Sequence, residues 1–463
     1  MAATESLSPS DLSAIQAEQG PVTMHMGAVL VFEGAIEHEE VLRRFHERIH
    51  LVPRYRLRLD EAHLGLARPV WIEDEDFDPA RHIKRLALPA PGGDAELCEL
   101  VGRVMSSALP RDRPLWEIEV VEGLAGGGTA LIAKLHHALV DGVGAVDIGA
   151  ALLDPTPEPL ELPPPEDAPA EPERAHNRVE QLSRIAAARI DVPRKLAVSA
   201  LTRTLEFDPV TAARQARESA TALRALAKIR EPAPDTRLNA EIGRDRVFAL
   251  GRGRLEEVKA VRRAAGATVN DVVLAAVALA LSDFLAPNAP ERAVALVPVS
   301  VRDDSDEPGA GNQISTVFCD LPLRGEPLDR VRAVHAEMER IKASAEVQAG
   351  ALMVGATGFI PPIVSSVAVR ALAGPRLFNL VATNVPGPQQ TFYMAGVAMS
   401  EIYPAAPLNP RNQALSIGAL SYDGGVYFGL LADRDTLPDV ADAASGLERA
   451  LATLVEAAGA AQV

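Results

Sequence analysis

The sequence is poor in cysteine, with only Cys98 and Cys319 in 463 residues. Two thiols cannot build the disulfide framework of a small secreted domain, and neither stands in a recognisable catalytic motif. Aromatic residues make up 4% of the chain, although hydrophobic residues as a whole reach 48%. That hydrophobic content excludes a chain that is disordered throughout, and the few thiols predict a reducing compartment. We therefore expect a globular, cytoplasmic protein.

Positive charge is also scarce. Lys and Arg together number 46 against 63 Asp and Glu, which gives a net charge of -17. Nucleic-acid phosphates require a basic surface, so this balance predicts no nucleic-acid partner. The chain also contains no G-x-S-x-G elbow, no Walker loop and no G-x-G-x-x-G motif, which argues against the serine-hydrolase and nucleotide-binding classes.

The sequence predicts neither a leader nor an uninterrupted membrane span. Met1–Ser10 is small and polar and does not resemble a signal peptide. Residues 347–369 carry no charge, but three glycines and the pair Pro361-Pro362 would break a spanning helix there. We predict two short apolar helices around a turn, in a protein that is soluble or at most peripheral to a membrane.

Proline is concentrated in one acidic segment, residues 154–173. This segment holds eight prolines and seven acids but no Lys or Arg, so it cannot bury a core. Such a composition predicts an extended, semi-rigid linker. The linker would separate an N-terminal half, residues 1–153, from a C-terminal half, residues 174–463.

Apolar periodicity and turn residues predict a mixture of strands and helices. Strands are predicted over His25–Phe32, Leu115–Val121, Thr129–His136, Ala293–Val301, Leu415–Tyr422 and Val426–Ala432. Helices are predicted from Ser8-Pro9, over Glu39–His50, from Asp147, and over Ala175–Lys228, Leu255–Ala265, Asn270–Leu285 and Leu328–Val347. The last two strands should form a hairpin through Asp423-Gly424-Gly425. The balance predicts an α/β protein with mixed sheets.

Two adjacent histidines at the end of a predicted strand form the most informative motif. Because side chains alternate along a strand, His137 should continue the apolar face, whereas His136 should share the side that carries Lys134. A buried, neutral imidazole is suited to act as a general base. A core histidine beside an ordinary Asp-Gly turn is the alternative, but the pair of histidines followed by Asp141-Gly142 favours catalysis.

The residues around this pair resemble a known family. His136-His137-Ala138-Leu139-Val140-Asp141-Gly142 matches the HHxxxDG motif, which condensation domains and polyketide-associated acyltransferases also carry. The further matching segments are Pro114-Leu115-Trp116, Asn270-Asp271, Val297 to Arg302, Gly311-Asn312-Gln313 and Asn384-Val385-Pro386-Gly387-Pro388. Together they resemble the bacterial wax ester synthase/diacylglycerol acyltransferase family over nearly the whole chain.

The resemblance implies a fold and a reaction. It implies two chloramphenicol-acetyltransferase-like α/β sandwich halves with the active site in a tunnel at their interface. Acyl-CoA would enter from one side as co-substrate, and diacylglycerol or a long-chain fatty alcohol would enter from the other. The products would be triacylglycerol or wax ester, and no cofactor is implied.

The resemblance also implies roles for individual residues. The catalytic group would be His137, His136 and Asp141, with Gly142 and an Asp141–Arg302 pair fixing the loop. The implied substrate-binding residues are Pro114, Leu115, Trp116, Asn270 and Asp271. Taken alone, Trp116 is more typical of a core anchor and Asn270-Asp271 of a helix N-cap.

Other functions stay open at this point. A carrier protein or a polyketide could replace CoA or the lipid acceptor on the same fold, and a non-catalytic lipid carrier would bind acyl-CoA without turnover. His46-Glu47-Arg48-Ile49-His50 satisfies the HExxH pattern of zinc peptidases, but no third ligand follows and no metal site is predicted. A solvated amphipathic helix accounts for this segment better.

Two basic clusters stand out against the acidic background. Between Arg174 and Arg230, twelve Lys or Arg oppose five acids, with apolar residues interleaved. This pattern is typical either of a helix lying on a membrane or lipid droplet or of a packed helix with a solvated face. The cluster Lys259, Arg262 and Arg263 is a candidate contact for the CoA phosphates.

Overall fold

The computed structural model describes residues 4–18, 20, 22–60, 69–139, 149, 152–159, 231–300, 314–343, 377–408 and 412–461. Its strands are β1 Thr4–Ser6, β2 His25–Phe32, β3 Leu57–Asp60, β4 Val70–Glu73, β5 Ile83–Ala87, β6 Trp116–Glu122, β7 Thr129–His136, β8 Arg246–Arg254, β9 Arg292–Ser300, β10 Ile314–Pro322, β11 Leu380–Pro386, β12 Tyr393–Met394, β13 Val397–Ala405, β14 Leu415–Tyr422 and β15 Gly425–Asp433. Its α-helices are α1 Pro9–Ala17, α2 His38–Arg48, α3 Asp94–Ser106, α4 Leu255–Ala265, α5 Val269–Phe284, α6 Pro327–Lys342 and α7 Val440–Ala460. Short 3-10 turns cover Ile49–Leu51, Pro53–Arg56 and Pro79–Arg81.

Two six-stranded mixed sheets organise these elements. The first has the order β12-β13-β2-β7-β6-β5, and its β5–β6 pair is parallel. The second has the order β10-β9-β11-β14-β15-β8, and β11 runs parallel to both of its neighbours. A small sheet, β1-β4-β3, accompanies them. The predicted α/β class with mixed sheets is confirmed.

Strand β13 links the two ends of the chain. It comes from the C-terminal part of the sequence but pairs antiparallel with β2, from Met399 opposite Phe32 to Ala405 opposite Gly27. Helix α3, from the N-terminal part, packs closely against β8, from the C-terminal part. A Cβ at Gly102 of α3 would lie only 2.8 Å from the Arg246 carbonyl oxygen of β8. The predicted division into 1–153, 154–173 and 174–463 stays a prediction, but the parts before and after the linker share one sheet.

The two main cores have different compositions. Helix α5 is apolar on nearly all sides, and ten of its sixteen residues are buried, where α6, α7 and the second sheet surround it. The N-terminal core is centred on Trp116, which packs against Phe45 at a ring-centroid distance of 4.7 Å. All eight residues of β7 are buried. This strand therefore has no solvent face.

Several predicted elements are confirmed at or within one residue of their boundaries. Strands His25–Phe32, Thr129–His136 and Leu415–Tyr422 and helix Leu255–Ala265 agree at both ends. Ser8 caps α1 through a capping box with Asp11, as a helix start there predicts. The predicted helix Glu39–His50 was too long, because α2 ends at Arg48. The chain continues as the 3-10 turn Ile49–Leu51, and Pro53 then disfavours helical backbone at Val52.

Other predictions fall outside the described residues. These are the linker beyond residue 159, the basic segment 175–228, the apolar segment 347–369, and the last residues of the helix predicted over 328–347. In the ranges the structure describes, no helix alone has the length and apolarity to cross a bilayer. Helices α4 and α5 meet those criteria only as a pair, and they are bent by 98°.

Candidate active site

The paired histidines lie where β7 ends, next to the start of β2. His25 is opposite His136 in the sheet, and the chain then turns, with the Leu139 N–H donating to the His136 carbonyl at 2.9 Å. The His137 N–H donates to the Met24 carbonyl at 2.8 Å. The assigned strand ends at His136, and the prediction that His137 continues the apolar face stays a prediction.

The side of β7 that carries Lys134 and His136 is buried. Lys134 is fully buried, and its Nζ lies 3.2 Å from Glu117 Oε2 and 3.1 Å from the Val104 carbonyl at the end of α3. His136, on the same side, is 2% exposed, whereas His137 is half-buried. The Lys134 ammonium can be buried here because its charge is met by a carboxylate and a helix carbonyl.

Both ring nitrogens of His136 face a partner. Its Nδ1 accepts the Ala138 N–H at 2.9 Å, so the proton of the neutral ring belongs on Nε2. That Nε2 lies 3.2 Å from Glu18 Oε1. A ring held in this way is oriented, and it is poorly placed to accept a proton from a substrate.

His137 has the electrostatic environment of a base. Burial is the largest effect on its ring and lowers its pKa, and His136 acts in the same direction. Asp11 and a backbone contact oppose this, to a smaller extent. The net effect keeps the imidazole neutral at physiological pH, which is the form that can take a proton.

An arginine and a carboxylate support the turn from the other side. Asp11, buried in the capping box of α1, lies 2.5 Å from Arg54 Nη2. The same Nη2 lies 3.3 Å from the Ala138 carbonyl oxygen, and the guanidinium stands over the Trp71 ring. These contacts fix the residue that follows His137.

The segment Pro114-Leu115-Trp116 is core in this structure. Trp116 is fully buried, stacks on His82 at 4.4 Å, and donates its indole N–H to the Tyr55 carbonyl at 2.8 Å. Leu115 is also buried, and its carbonyl accepts the His136 N–H at 3.0 Å. The geometry favours the core-anchor alternative for Trp116, and substrate contact by these residues stays a prediction.

Asn270 and Asp271 lie in the first turn of α5, whose N-cap is Thr268, so neither is the N-cap residue that the alternative predicts, although Asp271 completes the capping box. The Asp271 carboxylate accepts the Thr268 N–H at 2.9 Å and lies 2.7 Å from His335 Nδ1 of α6. Asn270 is half-buried, and its Oδ1 lies 3.4 Å from Asn384 Nδ2. Two of the motif segments therefore meet at this point, whereas the predicted substrate contacts of Asn270 and Asp271 stay untested.

The remaining predicted site residues cannot be placed. Asp141, Gly142, Arg302 and Gly311-Asn312-Gln313 lie outside the described residues. The Asp141–Arg302 pair and the tunnel therefore remain predictions.

The geometry around HExxH does not support a zinc site. Helix α2 ends at Arg48, before His50, and the Glu47 carboxylate lies 2.6 Å from Arg43. Within the part of the chain that the structure describes, no three His, Cys, Asp or Glu side chains are grouped to hold a metal ion. Burial also raises the pKa of the Cys98 thiol to about 12, so Cys98 is not an activated nucleophile.

Members of the candidate CoA-phosphate cluster make contacts within α4, and Arg263 Nε donates to the Lys259 carbonyl at 3.2 Å. Lys259 is paired with Glu256 at 2.8 Å, whereas Arg262 and Arg263 are exposed in the last turn of α4. No phosphate contact is tested by this arrangement, so the cluster stays a prediction.

Comparison with known proteins decides the family. Residues 7–273 match the model of the wax ester synthase/diacylglycerol acyltransferase catalytic domain, and residues 310–455 match the C-terminal domain of the same family. The chain belongs to this family. It is an acyltransferase, and the resemblance carried by its motifs is confirmed.

Relatives and solved structures agree. The Mycobacterium tuberculosis (strain H37Rv) protein named "Probable diacyglycerol O-acyltransferase tgs1" is 33% identical over 444 residues, which covers 94% of this chain and 92% of the relative. The wax ester synthase/diacylglycerol acyltransferase of Marinobacter aquaeolei VT8 has a TM-score of 0.68 at 29% identity, covering 98% of this chain and all of that one. A mutant starter condensation domain of rhizomide synthetase, in complex with C8-CoA, has a TM-score of 0.56 at 16% identity over 98% and 94% of the two chains. That last similarity shows the shared fold.

Sequence reasoning missed four residues that hold the turn of this acyltransferase. Glu18 and Met24 contact the two histidines, and Asp11 and Arg54 hold the residue after them. None of the four lies in a motif. The only signal was the acid at each end of α1, and nothing local connects those acids to a turn more than a hundred residues away.

Proposed function

We propose that this acyltransferase transfers a fatty acyl group from acyl-CoA to the hydroxyl of diacylglycerol or of a long-chain alcohol, with His137 as general base. One observation carries the residue assignment. Of the two motif histidines, His136 has both ring nitrogens facing partners, whereas burial keeps the half-buried His137 ring neutral.

The chemistry requires one base and direct transfer. His137 takes the proton of the acceptor hydroxyl as its oxygen attacks the thioester carbonyl. The tetrahedral adduct then collapses, the C–S bond breaks, and the departing CoA sulfur takes the proton from His137 or from solvent. A thiol with a pKa of about 8.5 leaves far more readily than an alkoxide, so no acyl-enzyme and no cofactor are needed. General-base catalysis of this kind contributes about a hundred- to ten-thousand-fold.

Diacylglycerol is the acceptor that the relatives favour, since the mycobacterial relatives are named for it, while the Marinobacter protein is named for both activities. Transfer from a carrier protein or to a polyketide is the second candidate, because condensation domains share the fold.

The test is product identification. Purified protein is incubated with palmitoyl-CoA and, in separate reactions, with diacylglycerol, hexadecanol or water, and the lipids are identified by mass spectrometry. We expect triacylglycerol or wax ester and little free acid. His137→Ala should lose turnover by about a hundred-fold or more with an unchanged fold, whereas His136→Ala should be milder. A His137→Ala protein as active as the wild type would refute the mechanism.

We also propose that the basic segment 174–230 brings this cytoplasmic enzyme to an anionic lipid surface. Exposed charges are screened within about 10 Å at 0.1 M salt, so vesicle binding should weaken steeply as salt rises. Neutralising Arg184, Arg189, Arg194 and Lys195 together should reduce vesicle binding but spare activity on short, soluble acceptors. Unchanged binding would assign the segment to an ordinary solvated helix.

A further inference from the structure

The carboxylate of Glu18 meets several groups around the paired histidines at once. The residue directly follows α1, and its side chain is 12% exposed. Its Oε1 accepts the Met24 N–H at 2.7 Å and lies 3.2 Å from His136 Nε2 and 3.7 Å from His25 Nε2. Its Oε2 lies 2.6 Å from Arg111 Nη2. One oxygen is therefore directed toward the histidines, and the other toward a partly exposed arginine.

Glu18 is charged in this setting. Burial acts to raise its pKa, but the contacts with His136, with the Met24 N–H and with His25 together lower the pKa to about 2. His25 is neutral, since burial and the Lys134 ammonium lower its pKa to about 3. A permanent carboxylate thus faces the Nε2–H of His136, which is the ring nitrogen left protonated when Nδ1 accepts the Ala138 N–H.

The same carboxylate acts on both histidines by different routes. It fixes the His136 ring directly. It fixes His137 through Met24, because Met24 donates its N–H to Glu18 and accepts the His137 N–H on its carbonyl at 2.8 Å. A displacement of Glu18 would therefore move the backbone from which the His137 ring projects.

We propose that Glu18 is a positioning residue for acyl transfer, which orients His136 through its ring and His137 through Met24. The inference rests on the proposed role of His137 as the base. A positioning role requires the Glu18 oxygen Oε1 to keep its place between Met24 and His136. A role limited to the ion pair with Arg111 would require only a negative charge.

Two substitutions separate position from charge. In Glu18→Gln the amide oxygen can occupy the place of Oε1, accept the Met24 N–H and remain next to His136 Nε2, while the charge is lost. In Glu18→Asp the charge is kept, but the shorter side chain withdraws the oxygen from both partners. Arg111→Gln is the matched control, because it removes the outer ion pair and leaves the Glu18 carboxylate in place.

We expect Glu18→Asp to lower kcat about 100-fold, since misplacement of catalytic groups by about 1 Å has effects of this size. Its KM for palmitoyl-CoA should stay within about threefold, because positioning of the base acts on the transition state rather than on ground-state binding. Glu18→Gln should stay within about tenfold of the wild type, and Arg111→Gln within about twofold. Circular dichroism and urea unfolding check that each variant is folded.

A second readout is independent of turnover. Histidine side-chain ¹H–¹⁵N spectra report which ring nitrogen is protonated, and His136→Gln identifies the His136 signal. We expect the Nε2–H form in the wild type and in Glu18→Gln, and a mixture of tautomers in Glu18→Asp.

The outcomes separate the two hypotheses. Suppose first that His137→Ala is inactive, as the proposed base requires. The positioning role of Glu18 would then be overturned if Glu18→Asp had wild-type kcat and an unchanged tautomer, or if its kcat were higher than that of Glu18→Gln. Full activity of His137→Ala would instead overturn the proposed base, and the tautomer comparison would then decide the positioning of His136 alone.

Discussion

At the scale of single residues, buried charge is placed where the sequence pattern predicts solvent or linker. Arg44 and Arg48 lie on the buried face of α2, and both are paired with Asp154, the first residue of the predicted linker. Asp154 is fully buried, and its backbone exchanges two hydrogen bonds of 2.8 Å with Tyr393 of β12. These contacts tie α2 and the start of the linker segment to the edge of the first sheet.

Removing the shared carboxylate should be costly. Asp154→Ala would leave two buried guanidinium groups without it, and breaking a buried ion pair in this way costs about 3–5 kcal/mol of unfolding free energy. Urea unfolding measures the loss. Arg43→Ala is the control, because its pairs with Glu40 and Glu47 are exposed and should contribute less than about 1 kcal/mol. Equal stabilities of the two variants would contradict a buried charge cluster.

Acid should weaken the fold through His25, which is 3% exposed. Its pKa is lowered, chiefly by burial, from 6.5 to about 3, so between these values the unfolded chain binds a proton that the folded chain does not. This contribution is fully present above pH 6.5 and is lost as pH falls toward 3, by at most about 1.4 kcal/mol per pH unit.

The experiment compares unfolding free energies at a series of pH values. Glu18 has an unfolded pKa of 4.5 and a folded pKa of about 2, so below pH 4.5 it also lowers the unfolding free energy as the pH falls. The effect of His25 is therefore measured between pH 6.5 and pH 4.5. We expect His25→Gln to show a shallower slope than the wild type there. Parallel slopes would mean that His25 takes up its proton equally well in the folded chain.

The residue scale also shows what a motif can predict. The pair His136-His137 with Asp141-Gly142 could be found from the sequence because its members are adjacent in the chain. The burial of His136 and Lys134 could not, because it depends on Glu18 and Glu117, which are brought to them by other elements. Alternation along β7 reports the two faces but not whether water lies on one of them.

At the scale of elements, local signals were sufficient where the chain turns back on itself. The hairpin of β14 and β15 turns at Asp423-Gly424, whose φ angles of 43° and 78° are those of a two-residue turn that favours Asp-Gly. The helix start at Ser8 and the end of α4 at Gly266, with φ of 67°, follow from equally local rules.

The turn predicts opposite effects for two exposed glycines. Gly424 and Gly459 both have open space where the methyl group of an alanine would lie, but only Gly424 has a positive φ. Gly424→Ala should lower the unfolding free energy by about 1–2 kcal/mol, because alanine disfavours left-handed backbone. Gly459→Ala, in helix α7, should raise it by up to about 1 kcal/mol. Chemical denaturation of both variants checks the signs, and a stabilised Gly424→Ala would exclude this turn.

At the scale of the whole molecule, pairing between distant segments was beyond the sequence. A strand pattern reports the period of its own side chains and says nothing of its partner, so the pairing of β13 with β2 gave no local signal. Two glycines in the second sheet accommodate this strand. A Cβ at Gly429 would overlap the Pro404 carbonyl oxygen of β13, and one at Gly418 would lie 2.8 Å from Pro404 Cγ. The close approach of β13 to β14 and β15 therefore depends on residues without side chains.

This shared sheet predicts that the N-terminal half does not fold alone. A fragment of residues 1–230 lacks β13, so β2 would become an edge with unpaired N–H and C=O groups, and such an edge promotes aggregation. The fragment would also expose Tyr55, Trp116 and their neighbours, which pack in one core with Met399 and Tyr422. We expect it to be insoluble or unfolded when expressed by itself.

Coexpression with residues 231–463 should restore a soluble complex with acyltransferase activity, because the described residues up to 159 and from 232 onward belong to one compact unit. The control is full-length protein cleaved between residues 161 and 230, whose two pieces should stay together through gel filtration. A monomeric 1–230 fragment with cooperative unfolding would show that β2 and the Trp116 core do not need β13.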